Sequence, residues 1–90
     1  MHGRLRLGVM AYLHQASPAS FAELKEATGA TGGNLSTHLR KLEEAGYITQ
    51  TKSFHDRRPL TTIAVTEDGR AAFAGYLAAM RQLIDGTGET

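Results

Sequence analysis

The sequence predicts a mainly helical α+β fold, and three observations carry that prediction. Apolar residues recur at helical spacing in Arg4–Gln15, in Phe21–Thr28 and in the run from Thr31 to Gly46. After Gly46 the pattern changes to two β-forming runs, Tyr47–Phe54 and Thr61–Val65, with a polar loop between them. A long amphipathic helix then starts at Thr66 and continues to Ile84. The expected architecture is a three-helix core, a two-stranded hairpin and a long C-terminal helix. One domain spans residues 1–85, with residues 86–90 as a flexible tail.

Bulk properties narrow the classes. Ninety residues suit a single core with little to spare. No apolar run approaches a membrane span, so no membrane partner is expected. Arg4 and Arg6 interrupt the first leucines, which excludes a secretory signal pattern. The absence of cysteine removes disulfides and thiolate metal sites and is compatible with a cytoplasmic protein. Net charge is only +1, yet cations cluster at Arg40 and Lys41 and again at Lys52, Arg57 and Arg58. A local basic patch on a near-neutral domain is enough for an electrostatic footprint.

The first helix carries Leu5, Val9, Tyr12 and Leu13 on one face and Leu7 with Met10 beside it. Two apolar patches demand two covers, from this domain or from a partner. Ser17-Pro18-Ala19 breaks that helix. Ser20 and Glu23 then form a capping box for a short helix that buries Phe21, Leu24 and Ala27 and closes at Gly29. Ala30 and Thr31 lead directly into the next helix, so the pair is a helix-turn-helix candidate. His55-Asp56-Arg57-Arg58-Pro59 is expected as a cationic loop at the hairpin tip. Thr66 caps the last helix, where Phe73, Tyr76, Leu77, Met80, Leu83 and Ile84 repeat at helical spacing. A domain of this size has limited room for so much apolar surface, and antiparallel packing across a two-fold is the natural outlet.

The central helix is the most informative. Thr31 caps it, Gly46 ends it, and Leu35, Leu39 and Leu42 form one apolar stripe. Asn34, Ser36, Thr37, Arg40 and Lys41 avoid that stripe, while Gly32 and Gly33 keep the first turn slim. Such a helix suits a DNA major groove, where Asn and Arg read base edges and Ser, Thr and Lys hold phosphates. An amphipathic helix with a merely solvated polar face has the same pattern. The arginines of the following loop favour the first reading, since Arg57 or Arg58 suits a minor groove or a phosphate pair.

The run Phe21-Ala22-Glu23-Leu24-Lys25 with Thr28-Gly29, and then Gly33-Asn34-Leu35-Ser36-Thr37-His38-Leu39-Arg40-Lys41-Leu42-Glu43-Glu44-Ala45-Gly46-Tyr47-Ile48, resembles a signature of bacterial and archaeal winged-helix regulators. These are winged helix-turn-helix proteins allied to the MarR and ArsR families. Arg58-Pro59-Leu60-Thr61-Thr62 and Val65-Thr66-Glu67-Asp68-Gly69-Arg70 are similar to their wing and the helix start that follows it. The resemblance implies a homodimeric transcriptional regulator of double-stranded, pseudo-palindromic DNA, with the third helix in the major groove. Carried onto this chain, it implies groove contacts from Thr31, Gly33, Asn34, Ser36, Thr37 and Arg40, a backbone contact from Lys41, and wing contacts from Lys52, Arg57 and Arg58. His38 lies between Leu35 and Leu42 and is expected to pack. The first and last helices are implied to form the dimer interface, through Leu5, Val9, Tyr12, Phe73, Tyr76, Leu77, Met80, Leu83 and Ile84. Metal-sensing ArsR relatives use cysteines, which this chain lacks.

Other functions have less support. An enzyme would have to draw on His2, His14, His38 and His55, but no His-Glu-x-x-His, Gly-x-Ser-x-Gly or phosphate-cradling motif is present. No cofactor or metal site is therefore expected. Two alternatives stay open at this stage: a winged-helix protein-interaction module without DNA binding, and a regulator that senses a ligand or metal at the dimer interface through residues such as His2 and His14.

Overall fold

The computed structural model describes residues 3–88, with side chains through Asp85. Its elements follow in the order α1 (Arg4–Gln15), β1 (Ala19–Ser20), α2 (Phe21–Thr28), α3 (Gly32–Glu44), β2 (Ile48–His55), β3 (Arg58–Val65) and α4 (Glu67–Gly88). This is the α+β, mostly helical architecture that the periodicities predict. α4 continues through Gly88, into the stretch expected as a tail, while Glu89 and Thr90 lie outside the described residues.

One core holds the domain. Val9, Met10 and Leu13 of α1, Leu24 of α2 and the Leu35, Leu39, Leu42 stripe of α3 are buried together. Ala19, Ile48 and Ile63 cover one side, and Phe73 of α4 closes it. Each fully buried aliphatic side chain contributes about 1.5–3 kcal/mol relative to an exposed one. The second patch of α1 is absorbed internally, because Met10 is fully buried and Leu7 packs partly buried against this core, as do Leu5, Ala11 and Tyr12. In α2, Leu24 is buried and Phe21 half-buried, but Ala27 faces solvent. Val9 and Phe73 correct the expected dimer set: both are sealed in the chain's own core and offer nothing to a partner.

Local hydrogen bonds account for the helix boundaries. The Glu23 amide donates to Ser20 Oγ at 3.1 Å and the Ser20 amide donates to Glu23 Oε1 at 3.3 Å, completing the capping box. Gly29 ends α2 in the left-handed region, and Thr31 Oγ1 accepts from the Asn34 amide at 3.2 Å to start α3. Gly46 is also left-handed, with φ 83°. The Tyr47 amide donates to the Leu42 carbonyl and the Gly46 amide to that of Glu43, the paired bonds of a Schellman ending.

The hairpin departs from expectation in three ways. First, the tip is a two-residue turn, with φ 50° at Asp56 and φ 67° at Arg57. Positive φ at both central residues matches the right-handed twist of the flanking strands, so β2 and β3 pair all the way to His55↔Arg58. Arg58 and Pro59 therefore belong to β3, where the sequence pattern suggests a five-residue loop. Second, β1 adds a third strand by pairing Ala19 with Ile63 and Ser20 with Thr62, giving the order β1-β3-β2. Beyond those two rungs the outer edge of β3 has no partner strand among the described residues, so Pro59 costs no ladder bond. Third, amides that point out of the ladder find side-chain acceptors: Val65 donates to Ser17 Oγ at 3.0 Å.

Gly69 in the first turn of α4 sits against the end of α3. A Cβ there would lie 2.1 Å from the Tyr47 carbonyl oxygen and 2.9 Å from Val65 Cγ2. We predict that Gly69→Ala lowers unfolding free energy by at least about 1–3 kcal/mol, the cost of overpacking, as read by urea denaturation with circular dichroism. An unchanged midpoint would show that this junction is not tight.

Candidate nucleic-acid interface

All ten residues expected at DNA are exposed: Thr31, Gly33, Asn34, Ser36, Thr37, Arg40, Lys41, Lys52, Arg57 and Arg58. The leucine stripe turns α3 so that its opposite face is outermost. A concave surface forms between that face and the hairpin, lined by Gly33, Ser36, Thr37, Arg40 and Glu43 of α3, by Gln50, Lys52 and Thr61 of the strands, and by Phe21. Gly33 leaves that surface open, since a methyl group at its Cα would meet no neighbouring group within 4 Å.

Glu43 is the residue that sequence reasoning missed. Its carboxylate accepts from the Gln50 amide at 3.1 Å and from Gln50 Nε2 at 3.3 Å. Gln50 pairs with Ile63 an even number of rungs from Val65↔Ile48, so its amide points away from β3, and Glu43 receives it. The contact braces the hairpin against α3 and sets the angle between them. An acidic residue on a cationic helix gave no local hint of this, because its partner is defined only by strand register.

The cations are unneutralised. Among the described residues His55 Nε2 lies 3.5 Å from Asp56 Oδ2 at the hairpin, an ion pair only when the imidazole is protonated, and no ion pair involves Arg40, Lys41, Lys52, Arg57 or Arg58. The structure does divide them. Lys52 alternates onto the face of the hairpin that looks at α3, with Gln50, whereas Arg58 pairs with His55 on the opposite face. Arg57 sits in the turn itself. The hydroxyls also differ: Thr37 Oγ1 donates to the Gly33 carbonyl at 3.0 Å, leaving its lone pairs as acceptors.

Between α1 and α2, the Tyr12 hydroxyl donates to Glu23 Oε2 at 3.1 Å. This bond, then burial, then the charges of Glu23 and Glu26 push the phenol pKa above its usual 10.0. His38 is half-buried, as expected, with a buried Nδ1. Among the described residues no group of His, Asp and Glu side chains is arranged to hold a metal, and His2 lies outside them. No helix among them is long and apolar enough to cross a membrane.

This geometry is a helix-turn-helix followed by a two-stranded wing, and residues 5–84 match the family described as winged helix DNA-binding domain. The chain belongs to that family. It is a winged-helix DNA-binding transcriptional regulator, of a family that is not enzymatic. It is 39% identical over 79 residues to the uncharacterized protein MJ0432 of Methanocaldococcus jannaschii, covering 88% of this chain and 86% of that one. A solved transcriptional regulator homologue from Pyrococcus horikoshii OT3 superposes with a TM-score of 0.86 at 32% identity, over 92% of this chain and 82% of the other. Streptococcus pneumoniae FabT, solved in complex with DNA, shares the fold with a TM-score of 0.76 at 19% identity, over 98% of this chain and 61% of its own. The structural neighbours are MarR- and PadR-like regulators.

The brace is testable. Glu43→Ala is expected to speed hydrogen exchange at the Gln50 amide and to lower stability by about 0.5–1.5 kcal/mol, the usual net worth of such a bond. Unchanged protection at Gln50 would show that the wing is held by its ladder alone.

Proposed function

We propose that the regulator acts as a homodimer on a pseudo-palindromic DNA site and represses by occluding the promoter. The observation that carries the DNA side is the surface between α3 and the wing, where Arg40 and Lys52 converge without an acidic ion-pair partner among the described residues. In this reading Asn34, Ser36 and Arg40 read base edges in the major groove, and Lys41, Lys52, Arg57 and Arg58 hold phosphates beside it. FabT, which shares the fold, has been solved in complex with DNA, which supports DNA as the partner.

The dimer reading is supported by α4. The chain has a radius of gyration of 14.8 Å and extents of 59 × 25 × 20 Å, against roughly 12 Å expected for a rounded domain of this length. A 22-residue helix is about 33 Å long, and its second half extends past the core that Phe73 closes. Along it Leu77, Met80, Leu83 and Ile84 are 45%, 41%, 68% and 64% exposed, an apolar stripe that a two-fold copy would cover. Leu5, Tyr12 and Tyr76 are partly buried against the core and retain an outer edge for the same contact. Two such protomers would present recognition helices one helical turn of DNA apart, roughly 34–36 Å.

Fluorescence anisotropy on the gene's own upstream duplex and on a random duplex tests the DNA side. Arg40→Ala is expected to weaken specific binding by about 1–3 kcal/mol and random binding far less. Equal losses on both would make Arg40 a phosphate contact. For the dimer, Met80→Asp combined with Ile84→Asp should shift sedimentation from dimer to monomer while circular dichroism stays unchanged. A wild-type protein that sediments as a monomer at high concentration would rule the dimer out.

A further inference from the structure

The wing carries a feature that phosphate contacts do not explain. Phe54 is 78% exposed, the most exposed of the large apolar side chains described. Strand alternation puts Ile48, Gln50, Lys52 and Phe54 on one face of β2, opposite Val65, Ile63, Thr61 and Pro59 of β3. On that face Ile48 and Ile63 enter the core, while Gln50, Lys52 and Thr61 line the surface shared with α3. Phe54 and Pro59 are therefore the outermost rung of the DNA-facing side, about 7 Å along the strand beyond Lys52. Leu60 lies on the other face, paired with Ser53.

We propose that Phe54, backed across the ladder by Pro59, is an apolar wedge that enters the minor groove flanking the major groove read by α3, and there unstacks a base step. The inference rests on the DNA-binding reading of this face and adds to it a residue that selects sequence by deformability. Charge complementarity points to the occupant: Lys52 lies one rung inward on the same face and Arg57 in the adjoining turn, and neither is ion-paired among the described residues, so a polyanion suits the surroundings of this apolar tip. Phe and Pro are among the side chains that proteins insert between base steps from the minor groove. The wing is suited to the load, because its two-residue turn keeps both strands paired to the last rung before it. Pyrimidine–purine steps unstack most readily, so the wedge would favour TA or CA/TG in the flank of the site without hydrogen-bonding either base.

The test uses the full chain and a duplex recovered with it by selection from a random library, with 2-aminopurine scanned through the flanks. Wild-type binding should brighten the probe at one step per half-site, reporting unstacking. Phe54→Ala should abolish the brightening and weaken binding about tenfold, with the slope of log affinity against log salt unchanged, because an apolar contact releases no counterions. Arg57→Ala should do the reverse, reducing that slope by about 1 while the brightening persists. Phe54→Leu should restore part of the brightening. Brightening that survives Phe54→Ala would overturn the wedge and leave the ring lying on the sugar–phosphate wall. Loss of self-association in Phe54→Ala, with DNA binding intact, would overturn it in favour of a contact between copies. Failure of the wild type to bind any selected duplex would instead remove the DNA-binding reading, and the wedge with it.

Discussion

Thr66 is where the domain is tied together. Its hydroxyl donates to the Gly46 carbonyl at 2.6 Å and accepts from the Gly69 amide at 3.0 Å, and its own amide donates to the Tyr47 carbonyl at 3.0 Å. One residue thus joins the end of α3, the start of β2, the end of β3 and the start of α4. The approach is so close that only glycine fits at position 69. The recognition helix, the wing and the helix proposed for dimerisation all leave this point in directions it sets. Such a junction transmits geometry. If α4 pairs with a copy of itself, the separation of two recognition helices depends on the angle between α4 and α3 held here, and little compliance is available in a packed turn.

How much of this could be read from the chain depends on whether the deciding contact is local. The capping box at Ser20 and Glu23, the Thr31 cap and the Gly46 stop are all settled within six residues, and each was legible. The leucine stripe of α3 was legible for the same reason, since its period alone orients the helix. β1 was not. Ala19-Ser20 has no strand pattern, and it pairs because Ser17, 48 positions from Val65, delivers it to the sheet. The short turn was hidden too, because Asp56-Arg57 lacks the glycine that usually announces positive φ.

The candidate site was read with corresponding strengths and errors. Gly33, Ser36, Thr37 and Arg40 of α3 line one surface because a helix has one period, and exposure follows from the stripe, whereas Asn34 lines a separate concavity with Arg4 and Tyr12 of α1. Lys52, Arg57 and Arg58 could not be sorted in the same way: which side of a ribbon a residue takes depends on register, and register depends on the turn length. The Glu43 brace was invisible for that reason as well. Val9 and Phe73 failed differently. Periodicity marks a face as apolar without saying whose atoms cover it, and the chain's own core claims both.

Net charge illustrates the same principle at the scale of the whole domain. A balance of +1 says little about a polyanionic partner. Between Thr31 and Val65, however, five cations (Arg40, Lys41, Lys52, Arg57, Arg58) stand against three acids, Glu43, Glu44 and Asp56. Glu43 is occupied by Gln50 and Asp56 by His55, so two of the three acids already have neighbours of their own. Elsewhere acids serve structure: Glu23 closes a capping box, and Glu67 with Asp68 favour the N-terminal dipole of α4. That stretch carries two more cations than acids, and because no ion pair among the described residues involves Arg40 or Lys52, a phosphate arriving there displaces no carboxylate from either. Contacts made by those two side chains then release counterions without first breaking an ion pair, which is the condition under which salt dependence reports the number of contacts made.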